Sequence, residues 1–222
     1  MHKKATQTSL RSPVHELAGA DLLDQLREEL PPYALEYLDS AFIDHDEQAS
    51  SRLVSAAPNA WRGEIALCAF WLGTPNPAYR AIFRRVWDHD HHQLLQLLDN
   101  DASFAREMIA AAEFDHPLRG SQTVYRGTAN VTPAQAAQGL SWTTSREIAC
   151  WFAYRFSETT PVVLTADVPV SEVIYWSDER SEREVILRSP PPVRLDDQPH
   201  EWEGLAKMVG EERVLSFQSL KL

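Results

Sequence analysis

Three short segments in the second half of this sequence carry residue types suited to holding a charged ligand and acting on it. Val124-Tyr125-Arg126-Gly127 ends a run of strand character on an arginine. Its planar donor fork suits phosphate better than a lysine would, and the glycine behind it lets a ligand approach the backbone closely. Trp142-Thr143-Thr144-Ser145 is a hydroxyl cluster where a strand gives way to a helix. Glu182-Arg183-Glu184 places two carboxylates one residue apart just before the apolar run Val185-Ile186-Leu187. In an extended chain those two carboxylates project to the same side.

The elements required to position these groups are legible around them. Strand character covers residues 123–126 and 140–144, Ser145 caps a helix over 146–156 with Glu147 in its first turn, and a strand covers 184–187. Between and beyond them the sequence predicts a short helix over 133–138, with Thr132 as its cap and Gly139 as its stop, and strands at 161–166 and 173–176. A polar hairpin at Pro190-Pro191-Pro192, a helix near 201–209 and a final strand over 213–220 complete this half.

The front half differs. Residues 1–14 are polar and read as a loose terminus, after which apolar spacing predicts helices near 16–30, 34–42, 50–57, 64–72, 79–87, 93–98 and 102–114. The turn-forming cluster Asp115-His116-Pro117 through Gly120-Ser121 marks the change. An α+β protein is expected, with a helical region over 1–118 docked on a strand-rich core over 119–222.

Composition limits the classes open to such a chain. With 222 residues, 44% hydrophobic and 24% charged, it can build a sizeable core without staples. Its 21 basic and 32 acidic side chains give a net charge of −11 and no global attraction for nucleic acid. The charge is uneven, −8 over residues 1–118 and −3 over 119–222. Cys68 and Cys150 lie in apolar stretches without paired spacing, so they read as buried thiols, not a disulfide or zinc framework. The basic start Met1-His2-Lys3-Lys4 has no apolar region behind it, and no run of about 18 apolar residues occurs, so no signal peptide and no membrane partner are expected. A cytoplasmic protein is expected, or one delivered into a target cell without a cleavable signal.

At its three motifs the sequence resembles the mono-ADP-ribosyltransferases of the arginine–serine–glutamate class, the cholera-toxin-like branch. That family has an aromatic-Arg motif, a Ser-Thr-Ser motif opening a helix and a Glu-x-Glu or Gln-x-Glu motif before a strand, in that order. Here the order is Arg126, Thr143-Thr144-Ser145 and Glu182-Arg183-Glu184, and the resemblance covers about 100 residues, from Thr123 to the C-terminus. Thr143 stands where the family has its first serine. Arginine at the first motif separates the chain from the diphtheria-toxin-like branch, which has histidine there.

The resemblance implies two small packed β-sheets around an NAD cleft, with NAD as substrate and no metal. It implies that Glu184 accepts a hydrogen bond from the nicotinamide-ribose 2′-hydroxyl and stabilises the oxocarbenium-like transition state. Glu182 would orient or deprotonate the acceptor, and glutamate there resembles the arginine-modifying enzymes. Arg126 would hold NAD phosphate, the Gly127 backbone would pair with the nicotinamide carboxamide, and Thr143, Thr144 and Ser145 would orient Arg126, Glu184 and the ribose. Trp142, with Trp151 and Phe152, would pack behind the cleft.

Each motif alone has a structural explanation: a strand end, a helix cap, an exposed charged turn. Their joint order favours the catalytic reading. The expected activity is ADP-ribose transfer to a macromolecule, a protein side chain such as arginine in particular, by a bacterial or phage effector or toxin that an inhibitor or antitoxin could restrain. The alternatives are an NAD glycohydrolase, a nucleic-acid acceptor and, last, a non-catalytic NAD-binding module. The rival feature, Asp88-His89-Asp90-His91-His92, puts His89 and His92 on one helical face but has no further ligand set at diagnostic spacing, and reads as a solvated junction between two helices. Trp61, Trp71, Trp87, Phe70 and Phe83 read as core.

Overall fold

The apolar spacing of the front half folds as helices throughout. The computed structural model describes residues 13–156 and 160–219. The expected loose terminus lies outside them except for its last two residues, which open α1 (Pro13–Glu29). The chain divides into two units, Met1–Asn100 and Asp101–Leu222, so the helix after Asn100 and the turn cluster near Gly120 both belong to the second.

The first unit continues with α2 (Pro32–Leu35), α3 (Leu38–Phe42), α4 (Glu47–Ala56), α5 (Asn59–Leu72) and α6 (Asn76–Leu97). Tyr79, Phe83, Trp87 and His91, four residues apart on α6, form a continuous aromatic row with centroids 5.5–5.9 Å apart. The two helices expected over 79–98 are one, kinked where Asp90 leaves helical geometry (φ −134°). The acidic run there is not a solvated junction: Asp88 and Asp90 are 5% and 3% exposed, and Arg62 pairs with Asp90 at 2.7 Å.

The second unit starts with α7 (Ala102–Ala111), whose first amides are capped by Asp101. It continues with β1 (Ser121–Ala129), α8 (Pro133–Ala137), β2 (Ser141–Thr143), α9 (Arg146–Tyr154), β3 (Pro161–Pro169), β4 (Val173–Ser177), β5 (Glu184–Leu187), β6 (Arg194–Leu195) and α10 (Trp202–Ser219). The final strand expected over 213–220 is instead the later part of α10, with Leu220 outside the described residues. Trp202, Ala206 and Val209 recur at helical spacing and are buried, and the first two pack with Ala149, Cys150 and Ala153 of α9.

Among the described residues there is one sheet where two were expected: six strands, all antiparallel, in the order β4-β5-β2-β1-β3-β6. Its halves, β4-β5-β2 and β1-β3-β6, meet at the single residue pair Tyr125↔Thr143. One face buries Val124, Trp142, Leu164, Val185 and Leu187 with Ala136 and Ala137 of α8. Val163 and Tyr125 line the opposite face, under α9 and α10.

Gly127 is glycine because α9 crosses β1 there. A Cβ on Gly127 would lie 1.6 Å from the Ala149 carbonyl oxygen, so the missing side chain makes room for a helix and not for a ligand. Gly127→Ala should therefore destabilise the protein by about 3 kcal/mol. Gly204→Ala on α10, where an added Cβ meets nothing within 4 Å, should stabilise it by about 0.5–1 kcal/mol. Urea midpoints of the two variants moving in the same direction would contradict this account.

Candidate active site

The second and third motifs are knitted together by hydrogen bonds. β2 ends at Thr143 and β5 begins at Glu184, and these two residues face each other across the ladder. The Thr143 hydroxyl donates to the Glu182 carbonyl at 2.7 Å, and the Thr144 amide donates to the Arg183 carbonyl at 3.1 Å. Thr143 Oγ1 also accepts from the Ser145 amide at 3.0 Å. A serine would supply the same hydroxyl. Ser145 caps α9 by accepting from the Ile148 amide at 3.2 Å and donates to Glu147 at 2.7 Å. The cluster therefore orients the glutamate loop and opens the helix, instead of reaching Arg126.

The glutamates converge by a route other than the expected extended one. Ser181 and Arg183 both have left-handed backbones, with φ of 54° and 47°, so the chain is folded between Glu182 and Glu184. Asp178 holds the turn, accepting from the Arg183 amide at 3.2 Å on its side chain and from the Ser181 amide at 2.9 Å on its carbonyl. The result brings both carboxylates to one guanidinium: Arg180 Nη2 lies 3.1 Å from Glu182 Oε2 and 3.8 Å from Glu184 Oε2. Glu184 is buried at 7% exposure. Left-handed non-glycine residues cluster at functional loops, and this loop contains two.

A second guanidinium reaches the loop from α10. Arg213 lies over the Trp151 ring at 4.2 Å, pairs with Glu182 Oε1 at 3.5 Å and donates to the Arg180 carbonyl at 3.3 Å. Trp151 thus supports Arg213, and it meets Phe152 edge-on at 5.0 Å. Neither Arg180 nor Arg213 is marked by any sequence motif. The helical spacing of Trp202, Ala206 and Val209, carried one turn further, was the only signal for Arg213.

Arg126 lies apart from this group. Strand alternation puts Arg126 on the face of Val124 and Trp142, whereas Thr143, Glu184 and Tyr125 share the other. Its guanidinium donates to the Ser141 carbonyl and rests on Gly139, where an added Cβ would fall 1.9 Å from Nη2. Arg106 of α7 reaches the same turn, donating to the Gln138 and Gly139 carbonyls at 3.1 and 3.3 Å. Burial, then the Arg106 charge, lowers the Arg126 pKa, and the Glu184 charge partly offsets this. The Nε atoms of both arginines are buried without a hydrogen-bond partner. Trp142, 3% exposed, is a core side chain behind the sheet.

Beside Ser145 lies a cavity of about 410 Å³ lined by Ser145, Glu147, Asp178, Arg183, Met208 and Glu212. A backbone hydrogen bond and the Ser145 hydroxyl keep the Glu147 carboxyl below its usual range. With three carboxylates against one guanidinium, the lining suits a cation better than a phosphate.

In the first unit His89 and His92 are exposed. Among the described residues no group of three or more histidines, cysteines and carboxylates could hold a metal ion, and no helix is long and apolar enough to cross a membrane. Cys68 and Cys150 are buried, and burial pushes both thiols up to about 12. The chain matches no protein-family model, no curated protein and no solved structure.

Proposed function

We propose that the second unit cleaves the nicotinamide–ribose bond of NAD and transfers ADP-ribose to a macromolecule, with arginine side chains of proteins as the acceptors. The observation that carries this reading is the convergence of Glu182 and Glu184 on one guanidinium, in a loop tied to the hydroxyl motif by Thr143. Glu184, buried where β5 begins, places negative charge beside the ribose as it becomes cationic. Nicotinamide leaves with the glycosidic electron pair. Glu182 orients an incoming guanidinium and takes its proton, a geometry that Arg180 and Arg213 already reproduce at 3.1 and 3.5 Å.

Arg126 enters through charge. Its field is felt at Glu184, and its bond to Ser141 fixes the turn leading into β2. The acidic cavity beside Ser145 agrees with a cationic acceptor.

Incubation with adenylate-labelled NAD and a cell lysate tests the reading. Labelled protein together with free nicotinamide is expected, and absence of both would refute it. Glu182→Gln should separate the steps, reducing label on protein by about 10²-fold or more while nicotinamide release into water persists. Equal losses of both would show that Glu182 does not act on the acceptor.

A further inference from the structure

We propose that Arg180 is itself an acceptor, so that the protein ADP-ribosylates its own glutamate loop in an intramolecular step. The inference rests on the reading above and names a substrate for the same site.

The geometry that recommends Glu182 as the acceptor-facing carboxylate is already occupied by this chain's own guanidinium. Arg180 Nη2 is the atom between the two carboxylates, 3.1 Å from Glu182 and 3.8 Å from Glu184. It therefore lies beside both the group that would receive its proton and the group assigned to the ribose. Its side chain is 42% exposed, which leaves room for the sugar to approach.

Arg213 is less suited. It is 26% exposed, lies over Trp151, donates to the Arg180 carbonyl and pairs with Glu182 from the other carboxylate oxygen. Those contacts make it a support for the loop.

In the proposed step an Nη nitrogen of Arg180 forms a bond to C1 of the nicotinamide-bearing ribose as the bond from that carbon to nicotinamide breaks. The departing nicotinamide takes the electron pair and becomes neutral. The proton lost by the guanidinium passes to Glu182 and then to water, so NAD and arginine give ADP-ribosylarginine, nicotinamide and one proton without any oxidant or metal. Because the acting glutamates and the acceptor belong to one loop, the rate does not depend on a second protein molecule. The product carries a diphosphate where Glu182 and Glu184 lie, so like-charge repulsion disrupts the Arg180 ion pairs and changes the site after one turnover.

The test uses the full chain with NAD alone. Nicotinamide release is followed in parallel with intact mass and with peptide mapping by a protease that does not cut at arginine. The expected result is one ADP-ribose on Arg180, appearing with a first-order rate constant unchanged over a tenfold range of protein concentration and lost in Arg180→Lys. Nicotinamide release with no adduct at Arg180, or an adduct whose rate rises with protein concentration, would overturn the intramolecular assignment and leave the reading of the site intact. Failure to release any nicotinamide, with NAD alone and again after a cell lysate is added, would overturn both.

Discussion

Glu184→Gln should reduce nicotinamide release from NAD by about 10²–10³-fold, equivalent to about 3–4 kcal/mol of transition-state stabilisation, while leaving the fold in place. The change removes one negative charge from a carboxyl that is 7% exposed and keeps its shape. Arg180 would not be stranded, because its shorter ion pair, 3.1 Å, is with Glu182. The melting temperature is accordingly expected to stay within about 2 °C of the wild type. Single-turnover release of nicotinamide, measured beside a thermal melt, decides the matter. A variant that melts normally and still cleaves NAD at the wild-type rate would remove Glu184 from the chemistry.

The second large effect concerns stability. Asp196→Ala should lower the unfolding free energy by about 3 kcal/mol, because the buried carboxylate joins three parts of the second unit. It accepts from Arg146 Nε and Nη2 at 2.8 and 2.7 Å, from Trp202 Nε1 at 2.7 Å and from the Gln198 amide at 3.2 Å. Arg146 opens α9 and Trp202 opens α10, so this carboxylate fixes both helices that cover one face of the sheet. Glu201, 2.6 Å from Arg146, still pairs with the guanidinium in the variant and moderates the loss.

The Arg146 hydrogen bonds hold the Asp196 carboxyl down at about 2. In the unfolded chain it returns to the ordinary aspartate range near 3.9. A depressed carboxyl stabilises the fold above its unfolded pKa and loses that contribution as pH falls toward the folded one. About 2 kcal/mol should therefore be present at neutral pH and disappear between about pH 4 and pH 2. Urea titrations of wild type and Asp196→Asn should converge across that window. A stability difference that persists undiminished at pH 2 would show that packing, not charge, makes the contribution.

Much of the second unit was legible because its signals are local. Thr132 and Ser145 cap the helices expected of them, and β1, β3, β4 and β5 contain the runs that predict them. The hydroxyl and glutamate motifs are paired by the family resemblance, and Thr143 joins them directly. What was not legible depends on approach between distant segments. Gly127 invited a ligand reading because sequence cannot distinguish a glycine cleared for a helix from one cleared for a substrate. The run Val214-Leu215-Ser216-Phe217 has strand character, yet the buried helical face of Trp202, Ala206 and Val209 carries α10 through it. Arg126 was read from its strand position without its facing: the odd–even alternation that buries Val124 also turns Arg126 away from Thr143. Arg180 and Arg213 had no motif: the left-handed turn at Ser181 and Arg183 brings Arg180 to the glutamates, and α10 brings Arg213.

The lone pairing of Tyr125 with Thr143 has a mechanical consequence. Two strand bundles sharing a single rung can shear or twist at little cost in hydrogen bonds, while each bundle stays stiff within itself. Arg126 rides on one bundle and Glu184 on the other. Shear at that seam changes their separation, and a ligand joining β1 to β5 on the face shared by Tyr125 and Glu184 would act as a brace across it. Slowed hydrogen exchange concentrated at residues 125 and 143 on adding NAD would be the signature of that bracing, measurable with a variant that binds but cannot turn over.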